Sequence, residues 1–187
     1  MLERVVGGDK LNAFFYRVAN KQYTRELLFS TVFDLMCHVV CGMRPSIHAA
    51  YTSSLEEIGV SVTAVYDELN GIEITTTSAL VKESVRELKP LIEEMGGGLL
   101  PLLAGYRTKI LDGNCLGATQ HRIKDLRSLK GGALPGKSLV VLDPALMLVT
   151  ELFPCEDGHA QERSLVEDVL WTVKKDDLWI TDRNLCT

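Results

Sequence analysis

Two aspartates, Asp112 and Asp182, are the residues whose type and setting best fit catalysis in this chain. Residues 107–112 and 177–181 both read as strands, and each run is followed or ended by one of these acids. If the two strands lie side by side and parallel, their carboxyl ends meet and the acids converge, as ligand groups do in open α/β sheets. Two carboxylates held close repel each other, and a divalent cation turns that conflict into attraction. Mg²⁺, or Mn²⁺ in its place, prefers oxygen ligands and keeps several waters, which suits phosphodiester chemistry. The same pattern also fits acids that merely cap strands and face solvent.

Basic residues that could meet a phosphate lie nearby in sequence. His121, Arg122, Lys124, Arg127 and Lys130 fall in a polar, glycine-containing stretch, 119–136, that reads as a long connection. They fit a track for a DNA backbone or a solvated loop. Arg183 follows Asp182 directly and fits either a phosphate contact or a surface salt bridge. The charge distribution is uneven. Residues 1–106 hold nine Lys and Arg against thirteen Asp and Glu, 107–150 hold seven against three, and 151–187 hold four against nine. The net charge of −5 therefore hides a basic middle beside an acidic end.

Other chemistry is less well supported. Five scattered cysteines, Cys37, Cys41, Cys115, Cys155 and Cys186, do not form a disulfide framework and fit a reducing cytoplasm. Cys37, His38, Cys41 and His48 are zinc-ligand types, but Cys37 and Cys41 sit one turn apart on an apolar helix and make a poor tetrahedron. No apolar run approaches the length that crosses a bilayer, and the N-terminus lacks the layout of a secretory signal.

The elements that must position Asp112 and Asp182 follow from periodicity. The first hundred residues are helical in pattern. Residues 24–43 place Leu28, Val32, Leu35, Met36, Val39 and Val40 on one face, with Thr24 as N-cap and Gly42 with Pro45 as the stop. Ser46 opens a second helix expected to reach Ile58. Ser61 opens a third that ends at Asn70-Gly71. A fourth spans 78–95, with Leu80, Val81, Val85, Leu88, Leu91 and Ile92 on its buried side. The second and third, with Gly59 between, have the outline of a helix-turn-helix and equally of a plain bundle. Gly96-Gly97-Gly98 marks a break. Beyond it come a strand ending at Asp112, two strands (138–142 and 146–153) joined at Asp143-Pro144-Ala145, a helix over 159–173, and the strand before Asp182. This gives a helical domain, 1–98, with possible DNA binding, and a second domain, 99–187. The element order in the second is the start of an RNase H-like mixed sheet, so the fold class is α/β.

The lettering around these elements carries a family resemblance. Ile110-Leu111-Asp112-Gly113-Asn114 and Trp179-Ile180-Thr181-Asp182-Arg183-Asn184 resemble the segments around the first and second acids of bacterial insertion-sequence transposases of the DDE type. The stretches 134–144 and 153–164 resemble that family's connecting hairpin and helix, and residues 21–51 resemble the region before its catalytic domain. The resemblance implies metal-dependent nicking and strand transfer at the ends of a mobile element. It also implies partners in double-stranded DNA (terminal inverted repeats and target), a homodimer in the full-length enzyme, and a place in the bacterial cytoplasm on the nucleoid. Asp112 would bridge the metal ions and Asp182 would hold one. The family's third acid, a glutamate in a later signature, has no counterpart here, and the resemblance reads the chain as C-terminally truncated. Asp143, Glu151 and Asp157 read as structural: a turn acid, the solvent side of an alternating strand, and a helix start shared with His159 and Glu162. An incomplete sheet would leave Leu178 and Ile180 on an open edge, so poor solubility and inactivity are expected. Three other readings stay open: a catalytically dead DNA-binding regulator, an RNase H-like nuclease, and a gene remnant.

Overall fold

Residues 107–116, with Ile110 and Leu111 at their middle, form one of the two inner strands of a four-stranded sheet. The structure, a computed structural model, describes residues 6–20, 27–116, 136–155 and 162–185. Strand β1 (Arg107–Leu116) is flanked by β2 (Gly136–Asp143) on one side and β4 (Asp177–Thr181) on the other. β3 (Leu148–Cys155) lies outside β2, giving the order β3-β2-β1-β4. β1, β2 and β3 pair antiparallel, and β4 runs parallel to β1 from Arg107↔Asp177 to Leu111↔Thr181. The first and fourth strands of this region are therefore adjacent and parallel, which the convergence of the two acids requires. The protein is mixed α/β, with six α-helices among the described residues.

The chain divides into two compact units, residues 1–76 and 77–187. The first is helical: α1 (Gly8–Val18), α2 (Phe29–Val40), α3 (Ile47–Ser53) and α4 (Val62–Gly71). Ser46 Oγ accepts from Ala49 N at 3.2 Å and Ser61 Oγ accepts from Ala64 N at 3.3 Å, so both serines cap as their sequence positions predict. Gly42, at φ 70°, takes the left-handed conformation just past α2. α2 starts at Phe29, with Leu28 at the cap position, later than the sequence pattern places it; Thr24 lies outside the described residues. α3 stops at Ser53 rather than continuing to Ile58, yet Ile58 is buried all the same. One core joins Val32, Leu35, Ile47, Ala50, Tyr51, Ile58 and Val65. Tyr51 spans it and donates to the Val60 carbonyl at 2.8 Å. Met36 and Val40, assigned to the same face by periodicity, are exposed, because α2 buries only the narrower stripe Phe29, Val32 and Leu35.

The last long helix, α5 (Ile74–Glu94), contains the division at Thr76/Thr77. The sequence pattern puts a break at the glycine run 96–98, and the compact units divide about twenty residues earlier. The apolar stripe Leu80, Val81, Val85, Leu88, Leu91 and Ile92 is half-buried throughout rather than sealed. α5 is tied to β3 by Ser78 Oγ donating to the Leu152 carbonyl at 2.7 Å.

Within the predicted helix over 159–173, of which residues 159–161 lie outside the described residues, the chain forms a 3-10 turn, Glu162–Leu165, and a short α6, Val166–Leu170. It covers one face of the sheet, where Leu111, Leu139, Val141, Val169 and Leu185 form a second core. Among the described residues β4 is an edge strand, with Ile180 44% exposed and Leu178 half-buried.

Candidate two-carboxylate site

Leu111 and Thr181 are the last pair of the parallel β1–β4 ladder, and Asp112 and Asp182 each follow by one residue. Neighbouring strands run about 4.8 Å apart, so the two acids leave from adjoining backbones. Both are exposed. Leu111 is buried on the face under α6, so alternation turns Asp112 to the other face, with Thr108 and Ile110.

Asp112 does not end its strand. β1 continues to Leu116, and Asp112 pairs with Val140 of β2. The ladder with β4 stops at Thr181 while the ladder with β2 runs on, so Asp112 sits at the point where β1 loses one neighbour and keeps the other. That notch at the sheet edge is what the sequence pattern, blind to the length of β2, does not contain.

The position of Asp182 is fixed by what comes after it. The chain enters a 3-10 turn, Arg183–Leu185, in which Leu185 N donates to the Asp182 carbonyl at 3.1 Å. Leu185 is buried in the same core as Leu111. The residue before Asp112 and the residue three after Asp182 thus share one apolar anchor. Arg183 is exposed beside Asp182. His121, Arg122, Lys124, Arg127 and Lys130 lie outside the described residues, as do Asp157 and His159.

A third carboxylate approaches Gly113. A Cβ built on Gly113 would stand 2.6 Å from Glu162 Cδ and 2.7 Å from its Oε1, so glycine leaves the space that the acid fills. The sequence pattern gives Glu162 only the role of an acid favoured at a helix start. The signal that could have found it is the glycine itself, since an isolated glycine within a strand marks a close approach by another group. Among the described residues no three His, Cys, Asp or Glu side chains gather as a metal-holding group. Two carboxylates with waters still match the ligand habit of Mg²⁺, which takes one or two acids and keeps its remaining shell hydrated. The Asp112–Asp182 pair fits that donor set.

The remaining acids divide. Asp143 has the turn role assigned to it: its Oδ1 accepts from Ala145 N at 3.0 Å, and its Oδ2 accepts from Lys109 Nζ at 2.8 Å. Glu151 is not on the solvent side. Its side chain is only 25% exposed and stands 3.0 Å from Lys82 Nζ. The cause is a bulge: Val141 pairs with Glu151 but Leu142 pairs with Val149, leaving Thr150 extra and reversing the alternation that the sequence reading assumed.

In the helical unit the candidate metal and DNA groups among the described residues are these. Cys37 is half-buried and Cys41 exposed, both as free thiols. Burial pushes the Cys37 thiol up, with Cys41 and Asp34 adding to it, so the protonated form, a poor zinc ligand, is favoured. On α4, the second helix of the helix-turn-helix outline, Val65 faces the core and Asp67 faces solvent, an acidic rather than basic display. No helix among the described residues is long and apolar enough to cross a membrane. Comparison with protein-family models, with curated proteins and with solved structures returned no match.

Proposed function

We propose that this chain is part of an insertion-sequence DNA transposase of the DDE type, with residues 99–187 contributing an RNase H-like catalytic sheet. The observation that carries the reading is the β1–β4 register, which ends at Leu111↔Thr181 and sets Asp112 and Asp182 one residue beyond it on neighbouring strands. The resemblance of both acid segments to that family supplies the reaction class: nicking at element ends and joining of the freed 3′-hydroxyl to target DNA.

Asp112 and Asp182 would hold Mg²⁺ or Mn²⁺, which supplies Lewis-acid stabilisation of charge on phosphate oxygens and activates the attacking oxygen. The chain's own contribution is positional. The shared anchor of Leu111 and Leu185 holds the two acids at a sheet notch, and exposure on the sheet rim leaves room for a duplex. Arg183 and the basic stretch holding His121, Arg122, Lys124, Arg127 and Lys130 would meet the DNA backbone.

Mn²⁺ titration followed by electron paramagnetic resonance tests the pair without relying on turnover. The wild-type chain is expected to bind the ion. Asp112→Asn and Asp182→Asn are each expected to weaken binding about tenfold or more, since each removes one of two charged ligands. Binding unchanged in either variant, or none in the wild type at millimolar ion, overturns the assignment.

A further inference from the structure

A second polar site lies in the sheet unit, away from the two aspartates. Where Asp112 and Asp182 stand beyond the last residues of the β1–β4 ladder, this cleft opens at its first residues, Arg107 and Asp177. It encloses about 280 Å³ between α5, the start of β1 and the segment leading into β4. Four cations line it: Lys89 from α5, Arg107 and Lys109 from β1, and Lys174 just before β4.

Each of its acids faces a cation, though the buried Glu151 Oε2 makes no hydrogen bond among the described residues. Lys109 holds Asp143 at 2.8 Å, and Arg107 holds the buried Asp177 at 3.1 Å, with Lys174 N donating to the other Asp177 oxygen at 2.8 Å. Glu151 faces Lys82 at 3.0 Å. One ammonium group is left over and another is held only weakly. Lys89 is only loosely paired with Glu93, at 3.8 Å, and Lys174 Nζ has no acid within ion-pair distance among the described residues. Trp179 also lines the cleft, and its Nε1 is buried with no acceptor among the described residues. A buried N–H without an acceptor is costly, and in native structures such a group calls for a missing partner.

What remains is one unpaired ammonium, one loosely paired ammonium and one neutral donor, from different elements around one cavity. A single flat carboxylate would meet only part of that arrangement. A tetrahedral oxyanion, with oxygens directed to several sides, meets all of it. We propose that this cleft binds a phosphate group, with Lys89 and Lys174 supplying charge and the Trp179 indole N–H supplying the orienting hydrogen bond. The source is either a free phosphate or phosphomonoester, or a phosphate of a nucleic-acid backbone. The proposal does not depend on the two-aspartate reading, and its test leaves those residues untouched.

The chain has two tryptophans, Trp171 and Trp179, and Trp171 is 85% exposed. The full chain carrying Trp171→Phe thus reports from the cleft alone. Inorganic phosphate added at constant ionic strength, balanced with chloride, is expected to shift Trp179 emission along a saturating curve. Adding Lys89→Gln and Lys174→Gln, both exposed, is expected to weaken that binding about tenfold while leaving the far-ultraviolet circular dichroism unchanged. Phosphorus NMR line broadening, lost in the same variant, gives a readout free of the indole. Displacement by a short duplex without terminal phosphates identifies a backbone phosphate as the ligand, and failure to displace identifies free phosphate or a phosphomonoester. A shift that does not saturate, or one equally strong in the lysine variant, overturns the proposal.

Discussion

The two units of this protein solve the burial problem differently. In residues 1–76, helices pack around a core whose residues are close in sequence: Val32 and Leu35 from α2, Ile47, Ala50 and Tyr51 from α3, Val65 from α4. In residues 77–187, the core is Leu111, Leu139, Val141, Val169 and Leu185, drawn from positions far apart and covered by one short helix. That unit leaves Leu100 90% exposed and Trp171 85% exposed. That contrast decides where a site can be built. Local helical packing is cheap to assemble, because short loops cost little closure entropy. Only the non-local pairing of β1 with β4 brings together two acids seventy residues apart.

The largest effect expected from this contrast is in core truncation. Leu35 is 1% exposed and Leu139 is 0% exposed, one in each core. Leu35→Ala and Leu139→Ala should each cost about 2–5 kcal/mol, but in different units. Both tryptophans belong to the sheet unit, so the intensity and the wavelength maximum of tryptophan emission should follow Leu139→Ala and stay nearly level for Leu35→Ala in a denaturant series. If both signals shift together in both variants, the units unfold as one and the comparison fails.

The contrast also explains what could be read from the letters. Helix existence was legible because apolar spacing is a local property: Ser46 and Ser61 marked two starts, and Gly42 a stop. The strand Asp177–Thr181 was legible to the residue, bounded by a polar turn and the 3-10 start at Arg183. Extents that depend on a partner were not. β1 overruns Asp112 because β2 is long enough to keep pairing with it, and Glu151 turns inward because the bulge at Val141/Leu142 removes one step of alternation. The parallel neighbours Leu111 and Thr181 were expected from element order. The anchor through Leu185 and the approach of Glu162 to Gly113 were not, since neither is a matter of spacing.

A smaller effect sharpens the picture of the sheet unit. Lys109 and Asp143 form an ion pair with side chains only 18% and 15% exposed. Removing one partner of such a pair leaves a poorly solvated charge. Lys109→Met is expected to cost roughly 1–3 kcal/mol. Asp143→Asn added to it should recover most of that, because the amide oxygen can still accept from Ala145 N in the turn while the unmatched charge is gone. Stability by denaturant titration checks both. A double variant no better than Lys109→Met would mean that the turn, not the charge, sets the cost.

The smallest effect belongs to the helical unit and concerns pH. Burial raises the Glu68 carboxyl above its ordinary value. A carboxyl with a raised folded pKa binds its proton more tightly in the folded than in the unfolded chain, so the folded state gains protons over that interval. Stability contributed by this group is therefore present below the ordinary glutamate pKa, falls as pH rises toward the raised value, and stays at the lower level above it. Glu68→Gln removes the titration. The variant should match the wild type in acid and exceed it slightly near neutral pH, with the gap confined to the helical unit's transition. The size of the gap is limited because the side chain is partly open to solvent, which screens the penalty. A variant less stable than the wild type near neutral pH would show that the Glu68 charge helps to hold α4, opposite to what its burial implies.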